Sequence, residues 1–281
     1  VCTRNTACLM LTNPNTLGIF ESNCRRICDI VHSRGALVYL DGANLNAYVG
    51  LHRPGDAGFD LMHINLHKTF STPHGGGGPG AGPVAVKKQL EPFLPVPVIR
   101  ESDNRYQLDY DRPLSIGRVL ASNGQFAVLV RAYAYIRMLG AAGLTDVAET
   151  AVLNANYVRA CLEDYYELPY KNHPLHEVVF SAANLRQYGV RATDVAKRLL
   201  DYGLHAPTIY FPLIVPEALM IEPTETESLE SLNSFVTAMR QIVEEARTNP
   251  ELLQNAPMNT PVRRLDEARA SRELDVSHPQ S

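Results

Sequence analysis

The residue types best suited to chemistry lie between residues 41 and 82 of the sequence. Asp41 follows the apolar run Ala36–Leu40, and Lys68 follows a second apolar run, Leu61–Leu66. Ligands of open α/β sheets bind outside the carboxyl ends of the strands, so a carboxylate there can meet a cationic group. A lysine amine that has lost its proton is an imine-forming nucleophile. Taken singly, a turn aspartate and a solvated loop lysine are the commoner explanations of these residues.

A glycine-rich segment follows the lysine, His74–Pro83, with glycine at six of the eight positions 75–82. Glycine permits positive φ and close backbone approach, so such a loop can wrap a ligand with its amide groups. It is neither a Walker A loop nor a dinucleotide fingerprint, because it leads into a strand rather than a helix. Its place directly after Lys68 favours a site over a flexible linker.

Together, the carboxylate, the lysine and the loop predict pyridoxal phosphate (PLP). This cofactor needs a lysine to hold its aldehyde as a Schiff base and a carboxylate near its ring nitrogen. Asp41 and Lys68 are 27 residues apart, which leaves room for one short crossover between their strands. Both side chains can therefore reach one crevice.

The elements that must position these residues alternate between strand and helix in the first half. Helical spacing of apolar residues predicts a helix within Phe20–Ser33, and continuous apolar runs predict strands buried on both faces. This order predicts an α/β fold with a mostly parallel sheet and right-handed crossovers. The predicted strands are Cys8–Thr12, Ala36–Leu40, Leu61–Leu66 and Pro83–Val86.

The second half predicts an α+β domain. Residues 89–117 are rich in proline and read as a long connection. Helices are then expected at 125–139, ending near Gly140, and at 144–165, 192–202 and 227–248, with strands near 177–181 and 219–221. The predicted domains are residues 1–117, the C-terminal half of a large domain; 118–250, a small α+β domain; and 251–281, a polar tail whose Leu265–Leu274 is an exposed helix or coil.

Composition excludes several classes of function. The net charge of −4 offers no basic field for nucleic acid or an anionic membrane, and no run of 18 apolar residues predicts a transmembrane helix. The five cysteines predict free thiols in a reducing compartment and no metal site, although Cys24, Cys28 and His32 share one helical face. The chain of 281 residues starts without Met close to a strand, so we expect that the first part of the large domain is missing.

Several segments resemble the P-protein of the glycine cleavage system, glycine dehydrogenase (decarboxylating), most closely the C-terminal part of its subunit 2 form. The lysine and glycine-loop segment is the most specific of them. The resemblance covers nearly the whole chain and is carried by Leu11–Gly18, Leu40–Ala47, Asn65–Phe70, His74–Gly80, Leu129–Tyr133 and Pro261–Glu267.

The resemblance implies a fold type I PLP enzyme that decarboxylates glycine and passes the aminomethyl group to the lipoyl arm of the H-protein. Lys68 would carry PLP covalently and Asp41 would pair with the pyridinium nitrogen. Ala43 would pack under the ring, and His67 would reach the phosphate or orient Lys68. A lipoyl-arm channel would be lined by His74, Gly75, Gly76 and Asn44.

The implied partners are glycine, the lipoylated H-protein and a partner P-protein subunit or the missing N-terminal half, in an oligomer. The implied location is the bacterial cytoplasm or the mitochondrial matrix. Arg100, Arg105 and Arg131 stay open as candidates for the glycine carboxylate. Two segments depart from the family pattern, Arg118–Gln125 and Ala256–Asn259, where a histidine is expected after the proline.

Two alternatives remain open from the sequence. One is a catalytically incomplete fragment that serves only for dimerisation or H-protein docking. The other is a different fold type I enzyme of the aminotransferase or hydroxymethyltransferase type. In either case, we expect the chain on its own to expose apolar strand edges and to be poorly soluble.

Overall fold

The computed structural model describes residues 2–76, 78–119, 123–275 and 277. Gly77 of the glycine-rich segment and Leu120–Ser122 of the segment that departs from the family pattern lie outside the described residues. The chain divides into an N-terminal unit, Val1–Leu153 with His173–His176, and a C-terminal unit, Asn154–Asn172 with Glu177–Ser281. The domain boundaries at 117 and 250 stay predictions.

The N-terminal unit is built on a mixed sheet in the order β1-β2-β3-β4. Strands β1, β2 and β3 run parallel, and β4 is antiparallel to β3. The predicted parallel sheet is therefore confirmed for its first three strands. The elements are β1 (Cys8–Thr12), α1 (Cys24–His32), β2 (Leu37–Gly42), β3 (Leu61–Ile64), α2 (Leu66–Thr69) and β4 (Val84–Val86).

Two strand ends differ from the prediction. Strand β2 continues to Gly42, so Asp41 lies inside the strand and is paired with β1 and β3. Strand β3 ends at Ile64, and the predicted strand residue Leu66 instead begins α2. The turn at Asn65 gives Lys68 a helical rather than an extended backbone.

The two faces of this sheet have different environments. On one face, Val38 and Leu40 pack against Cys28 and Val31 of α1 in a buried apolar cluster. The other face carries Tyr39 and Asp41 with their partners across the strands, and its residues are half-buried or exposed. Met10 on this face is 59% exposed. Because the first face takes the apolar residues, the second is free to carry polar groups.

A buried carboxylate, Asp60, ties α1 to the sheet. Its Oδ2 accepts hydrogen bonds from the Val38 amide and from His32 Nε2, each at 2.8 Å. Lys87 Nζ lies 3.6 Å from Oδ1. The His32 side chain therefore points to Asp60. Cys24 and Cys28 pack in the apolar cluster, which supports their interpretation as buried thiols.

The charge of Asp60 makes its contribution to stability depend on pH. Burial opposes the charged form, but the hydrogen bonds from Val38 and His32 and the charges of His32 and Lys87 outweigh it, so the pKa of Asp60 lies below its usual value of 3.8. A depressed folded-state pKa gives stabilisation that is complete above the unfolded pKa and is lost as pH falls through the folded pKa.

We expect Asp60→Asn to lower the free energy of unfolding by about 2–3 kcal/mol at pH 7. This is less than the loss expected for a fully buried ion pair, because the partners His32 and Lys87 are partly exposed. The difference from wild type should narrow below about pH 4. Urea unfolding at several pH values measures it, with Asp56→Asn, in an exposed pair with Arg53, as control. A difference that is constant down to pH 3 would contradict this account.

Residues 89–117 are not a plain connection, which corrects the prediction. They contain a 3₁₀ helix, Lys88–Phe93, and an antiparallel hairpin of β5 (Val98–Ser102) and β6 (Arg105–Asp109). The turn residues Asp103 and Asn104 both have positive φ, 54° and 58°. Two-residue turns with this geometry favour Asp and Asn, so the Asp103–Asn104 pair was the feature of the sequence that indicated a hairpin.

The segment α3 (Phe126–Leu162) contains the predicted break at Gly140, where φ is 65° and ψ is −170°. A residue with a Cβ rarely adopts this φ, which is why glycine stands there. Val128 and Ala132 of α3 pack in the core of the N-terminal unit, but Phe126 and Tyr133 are 80% and 64% exposed. By length and composition α3 also meets the criteria for a membrane span, as core helices of soluble proteins do.

The C-terminal unit packs helices on a small antiparallel sheet in the order β7-β9-β8, with one continuous apolar core. The predicted α+β organisation is confirmed by these elements. They are β7 (Val178–Ser181), a 3₁₀ helix (Ala183–Tyr188), α4 (Ala192–Asp201), β8 (Thr208–Ile209), β9 (Ala218–Ile221), α5 (Leu229–Thr248), α6 (Pro250–Gln254) and the exposed α7 (Glu267–Arg272).

A buried charge network joins α4 to α5. The Arg198 guanidinium donates to both carboxylate oxygens of Glu245, at 2.9 and 3.0 Å, and to Asp201 at 3.1 Å. Tyr202 also donates to Glu245, at 2.7 Å. Burial and this contact raise the pKa of Tyr202 to about 12. The Arg198 and Glu245 side chains are only 14% and 11% exposed, so each requires the other for charge compensation.

Arg198→Met should therefore destabilise the chain by about 3–5 kcal/mol, because Glu245 and Asp201 would stay buried without their cation. Chemical denaturation followed by circular dichroism measures this loss. Arg247→Met is the matched control, since Arg247 pairs with Glu244 on the exposed side of α5 and should cost under about 1 kcal/mol. Equal losses in the two variants would exclude a special role for the buried network.

Candidate functional site

The site is built around Asp41, whose position the sheet register fixes. Asp41 of β2 is paired with Thr12 of β1 and with His63 of β3. Residues paired directly across strands point to the same face, so the three side chains meet there. Thr12 Oγ1 donates to Asp41 Oδ2 at 3.2 Å, and His63 Nε2 lies 3.3 Å from Asp41 Oδ1.

The backbone after the strand completes this arrangement. The Ala43 amide donates to Asp41 Oδ1 at 3.1 Å. A carboxylate oxygen has about two acceptor positions. Among the described residues, the Ala43 amide donates to Oδ1 and the Thr12 hydroxyl donates to Oδ2, while His63 Nε2 lies near Oδ1 without hydrogen-bond geometry. The open acceptor position on Oδ2 can receive an N–H group from a ligand.

Lys68 lies in α2, directly after the strand next to that of Asp41. Because β2 and β3 are parallel neighbours, Asp41 near the end of β2 and Lys68 just after β3 lie at the same edge of the sheet. A buried hydrogen bond of 3.0 Å from the Leu45 amide to Thr69 Oγ1 ties the segment after Asp41 to the residue next to Lys68. The Lys68 amine is exposed and makes no hydrogen bond or ion pair with the described residues, so it is accessible to a reactant.

Two histidines meet beside this lysine. The rings of His67 and His74 are 4.5 Å apart in an edge-to-face arrangement. Burial, with smaller effects from His74 and Lys68, lowers the pKa of His67 below its usual 6.5. His67 is therefore neutral at pH 7 and can both donate and accept a hydrogen bond. The pairing shows that the glycine-rich segment starts next to α2.

The glycine-rich segment folds back along β3 and α2. The Ile64 amide donates to the Pro83 carbonyl at 2.9 Å, and Gly82 approaches the Ile64 carbonyl so closely that a Cβ would lie 3.2 Å from it. At Gly75, where φ is 84°, an added Cβ would collide with Gly78 at 2.2 Å. Side chains are excluded here, so the loop presents backbone groups instead.

The segment between Lys68 and His74 is held in a special conformation. Ser71 has a positive φ of 53°, and its carbonyl accepts a hydrogen bond from Arg131 of α3. The Thr72 hydroxyl is buried and has no hydrogen-bond partner among the described residues. Of the three arginines considered for the substrate carboxylate, Arg131 is the one fixed beside this segment, whereas Arg100 pairs with Asp109 at 2.6 Å.

Sequence reasoning placed Asp41, Ala43, His67, Lys68 and His74 near one another, and the fold brings together Asp41 with Ala43 and His67 with His74. It gave no role to the groups that hold them, which are Thr12, Tyr39, His63 and Thr69, whereas Arg131 was already a candidate for the glycine carboxylate. Side chains alternate between the two faces of a strand, and both β2 and β3 carry a polar residue near the carboxyl end. Aligning the two strands by this alternation could have placed His63 on the same face as Asp41. The roles of all these residues remain proposals.

Comparison with known proteins shows what the chain is similar to. The chain is 59% identical over 280 residues to the probable glycine dehydrogenase (decarboxylating) subunit 2 of Prosthecochloris aestuarii, covering 98% of this chain. Residues 147–261 match the family model "Glycine dehydrogenase, C-terminal domain". In sequence, the chain matches glycine dehydrogenase (decarboxylating) subunit 2. The predicted resemblance to the C-terminal part of the P-protein is confirmed.

Solved structures support the fold. A glycine decarboxylase (P-protein) of the glycine cleavage system, solved in inhibitor-bound form, superposes with a TM-score of 0.70 at 23% identity, covering 85% of this chain and 56% of that one. A cysteine desulfurase from Thermococcus onnurineus superposes with a TM-score of 0.64 at 17% identity, covering 86% and 60%. The predicted PLP-dependent fold type I is thereby confirmed.

The chain spans 58% of the length of the Prosthecochloris subunit 2. Its fold family implies PLP as the cofactor. The side chains of the present chain fit this cofactor. Among the described residues, Asp41 Oδ2 has an open acceptor position for a ring N–H, and the Lys68 amine is unpaired. Ala43, the residue that follows β2, carries only a methyl side chain.

Proposed function

We propose that this chain contributes the PLP-binding lysine and the pyridinium-binding carboxylate to a glycine decarboxylase, which releases carbon dioxide and passes the aminomethyl group to the lipoyl arm of an H-protein. One observation carries the proposal: Asp41 lies near the carboxyl end of β2, Lys68 comes just after the parallel neighbour β3, and the Leu45–Thr69 hydrogen bond joins the segments that follow. The names of the relatives support glycine as the substrate.

When bound, PLP supplies an electron sink for the electron pair left as the carboxylate departs. Lys68 would hold the cofactor through its amine, and the same amine would be available to move a proton at the substrate carbon. The Asp41 carboxylate would pair with the ring nitrogen, and its charge would favour the protonated form. Thr12 and Ala43 keep the carboxylate oriented by donating to its two oxygens.

The other predicted residues surround the approach to Lys68. Neutral His67 can hydrogen-bond the cofactor or the lysine without adding a charge beside it. His74, Gly75 and Gly76 of the glycine-rich segment and Asn44, which follows β2, are proposed to line the entry for the lipoyl arm. A long lipoyl arm needs such a side-chain-poor approach, which supports the proposed H-protein partner. Arg131 is the arginine best placed for the glycine carboxylate.

The direct test uses two measurements on the chain mixed with the rest of its P-protein. PLP addition should produce a visible absorbance band, and glycine with lipoylated H-protein should release carbon dioxide from the glycine carboxyl carbon. Alanine or serine offered in place of glycine should release little. A visible band without glycine decarboxylation would favour another fold type I enzyme.

An exposed apolar surface favours a partner for this chain. Phe126, Val130 and Tyr133 follow one side of α3 at helical spacing and are 80%, 46% and 64% exposed. Soluble proteins that stay monomeric rarely leave such contiguous apolar surface open. This surface supports the proposed partner subunit in an oligomer.

We expect the chain alone to self-associate, and Val130→Lys with Tyr133→Lys to increase the monomeric fraction on size-exclusion chromatography. The charged variant removes apolar contact area without touching the core residues Val128 and Ala132. Leu274→Lys is a control, since Leu274 is exposed outside this surface. A wild-type chain that elutes as a monomer and melts cooperatively would contradict the expectation.

A further inference from the structure

We propose that His63 is a positioning residue that directs the carboxylate of Asp41 so that only Oδ2 can receive the cofactor's ring N–H. The inference rests on the proposed PLP site. Nothing in the sequence motifs singles out His63, and its role follows from the register of β2 and β3, which pairs it with Asp41.

The imidazole has a polar neighbour at each nitrogen, and the Tyr39 contact is a hydrogen bond. The Tyr39 hydroxyl lies 2.8 Å from His63 Nδ1, and His63 Nε2 lies 3.3 Å from Asp41 Oδ1. The rings of Tyr39 and His63 are 5.7 Å apart. The His63 and Asp41 side chains are each 26% exposed, so these contacts are partly shielded from water. Two fixed contacts leave the ring little rotational freedom.

The direction of the hydrogen bonds follows from chemistry. A carboxylate only accepts hydrogen bonds, so His63 Nε2 must carry a proton to make a favourable contact with Asp41. Burial, followed by the charge of Asp41, raises the pKa of Tyr39, so Tyr39 keeps its hydroxyl proton and can donate it to Nδ1. The order of donation is then Tyr39 to His63 to Asp41.

This chain of hydrogen bonds from Tyr39 through His63 to Asp41, the relay, would make the two oxygens of the Asp41 carboxylate unequal. The Ala43 amide donates to Oδ1 and the Thr12 hydroxyl donates to Oδ2, and a hydrogen bond from the nearby His63 Nε2 would fill the second acceptor position of Oδ1. Without His63, the carboxylate could rotate or offer Oδ1 to water or to the ring. Fixing one oxygen therefore pre-organises the other, which reduces the ordering cost when a ligand binds.

Nuclear magnetic resonance tests the contact without any cofactor. In long-range ¹H–¹⁵N spectra of the full chain labelled at histidine nitrogens, we expect His63 in the Nε2–H form, assigned by its loss in His63→Gln. Tyr39→Phe should shift the Nδ1 resonance, because that nitrogen loses its donor. A proton on Nδ1 alone, or an Nδ1 resonance unchanged in Tyr39→Phe, would overturn the relay.

PLP titration tests the consequence. We expect His63→Leu to raise the dissociation constant of PLP about tenfold or more, as for loss of a hydrogen bond to a charged group. His63→Gln, whose amide can donate from nearly the same place as Nε2, should restore most of the affinity. His173→Leu, at an exposed histidine of the same unit, should leave binding unchanged.

The outcomes separate this inference from the proposed function. Wild-type binding with unchanged affinity in His63→Leu overturns the role of His63 alone. An equal loss in His63→Gln and His63→Leu also overturns it, because the donated hydrogen bond would then be irrelevant. Absence of PLP binding by the wild type overturns both the proposed function and the role of His63 in cofactor binding. The NMR spectra still show whether His63 contacts Tyr39 and Asp41. If His63→Leu fails to fold, His63→Gln and Tyr39→Phe provide the decision.

Discussion

Lys68→Ala should abolish the visible absorbance band that forms when PLP is added, and should lower glycine decarboxylation by at least about 10²–10⁴-fold, the usual contribution of one proton-transferring group. The amine of Lys68 is exposed and unpaired among the described residues, so its removal leaves no buried charge behind. We therefore expect the variant to melt at nearly the wild-type temperature.

Two further lysine variants sharpen this experiment. Lys68→Arg keeps a positive charge but cannot form an imine, so it should lose the band as completely as the alanine variant. Lys88→Ala removes an exposed lysine of the 3₁₀ helix and should keep both band and activity. Borohydride reduction followed by peptide mass analysis should place the cofactor on Lys68. Attachment to Lys87 or Lys88 would contradict the assignment.

Asp41→Asn should lower kcat by about 10²–10³-fold, comparable to the loss of one group that stabilises developing charge. Asparagine keeps the shape of the side chain, and its Oδ1 can still accept the hydrogen bond from the Ala43 amide while its Nδ2 donates to the Thr12 hydroxyl. It lacks the charge that holds a proton on the ring nitrogen. PLP should still attach to Lys68, with weaker affinity. Steady-state kinetics and the absorbance titration measure the two effects separately.

Asp60→Asn is the matched comparison for this substitution. Asp60 is a buried carboxylate of the same unit, but its partners are His32, Val38 and Lys87 rather than groups at the sheet edge. We expect Asp60→Asn to lower stability with little change in kcat, and Asp41→Asn to do the reverse. An Asp41→Asn enzyme with near wild-type kcat would remove Asp41 from the proposed chemistry.

The fold was predictable wherever local pattern and structure agree. Continuous apolar runs identified β1 and β2, helical periodicity identified α4 and α5, and Gly140 identified the break in α3. The hairpin of β5 and β6 was missed because its strands are largely exposed and carry no buried alternation. Its Asp103–Asn104 turn was the remaining signal.

The sequence by itself determined which residues can do chemistry, because an amine, a carboxylate and a side-chain-free loop have properties that do not depend on the fold. Lys68, Asp41 and the glycine-rich segment were all recognisable in this way. Their order along the chain, each after an apolar run, was enough to predict one shared crevice.

Only the tertiary structure decided how those residues are held. The Thr12–Asp41–His63 contacts depend on strand register, the Leu45–Thr69 bond on two loops meeting, and the Arg131–Ser71 bond on contact between residues 60 positions apart. A one-residue slip in register would turn His63 to the opposite face of the sheet. Such contacts are set by the packing of distant segments, so no local pattern encodes them.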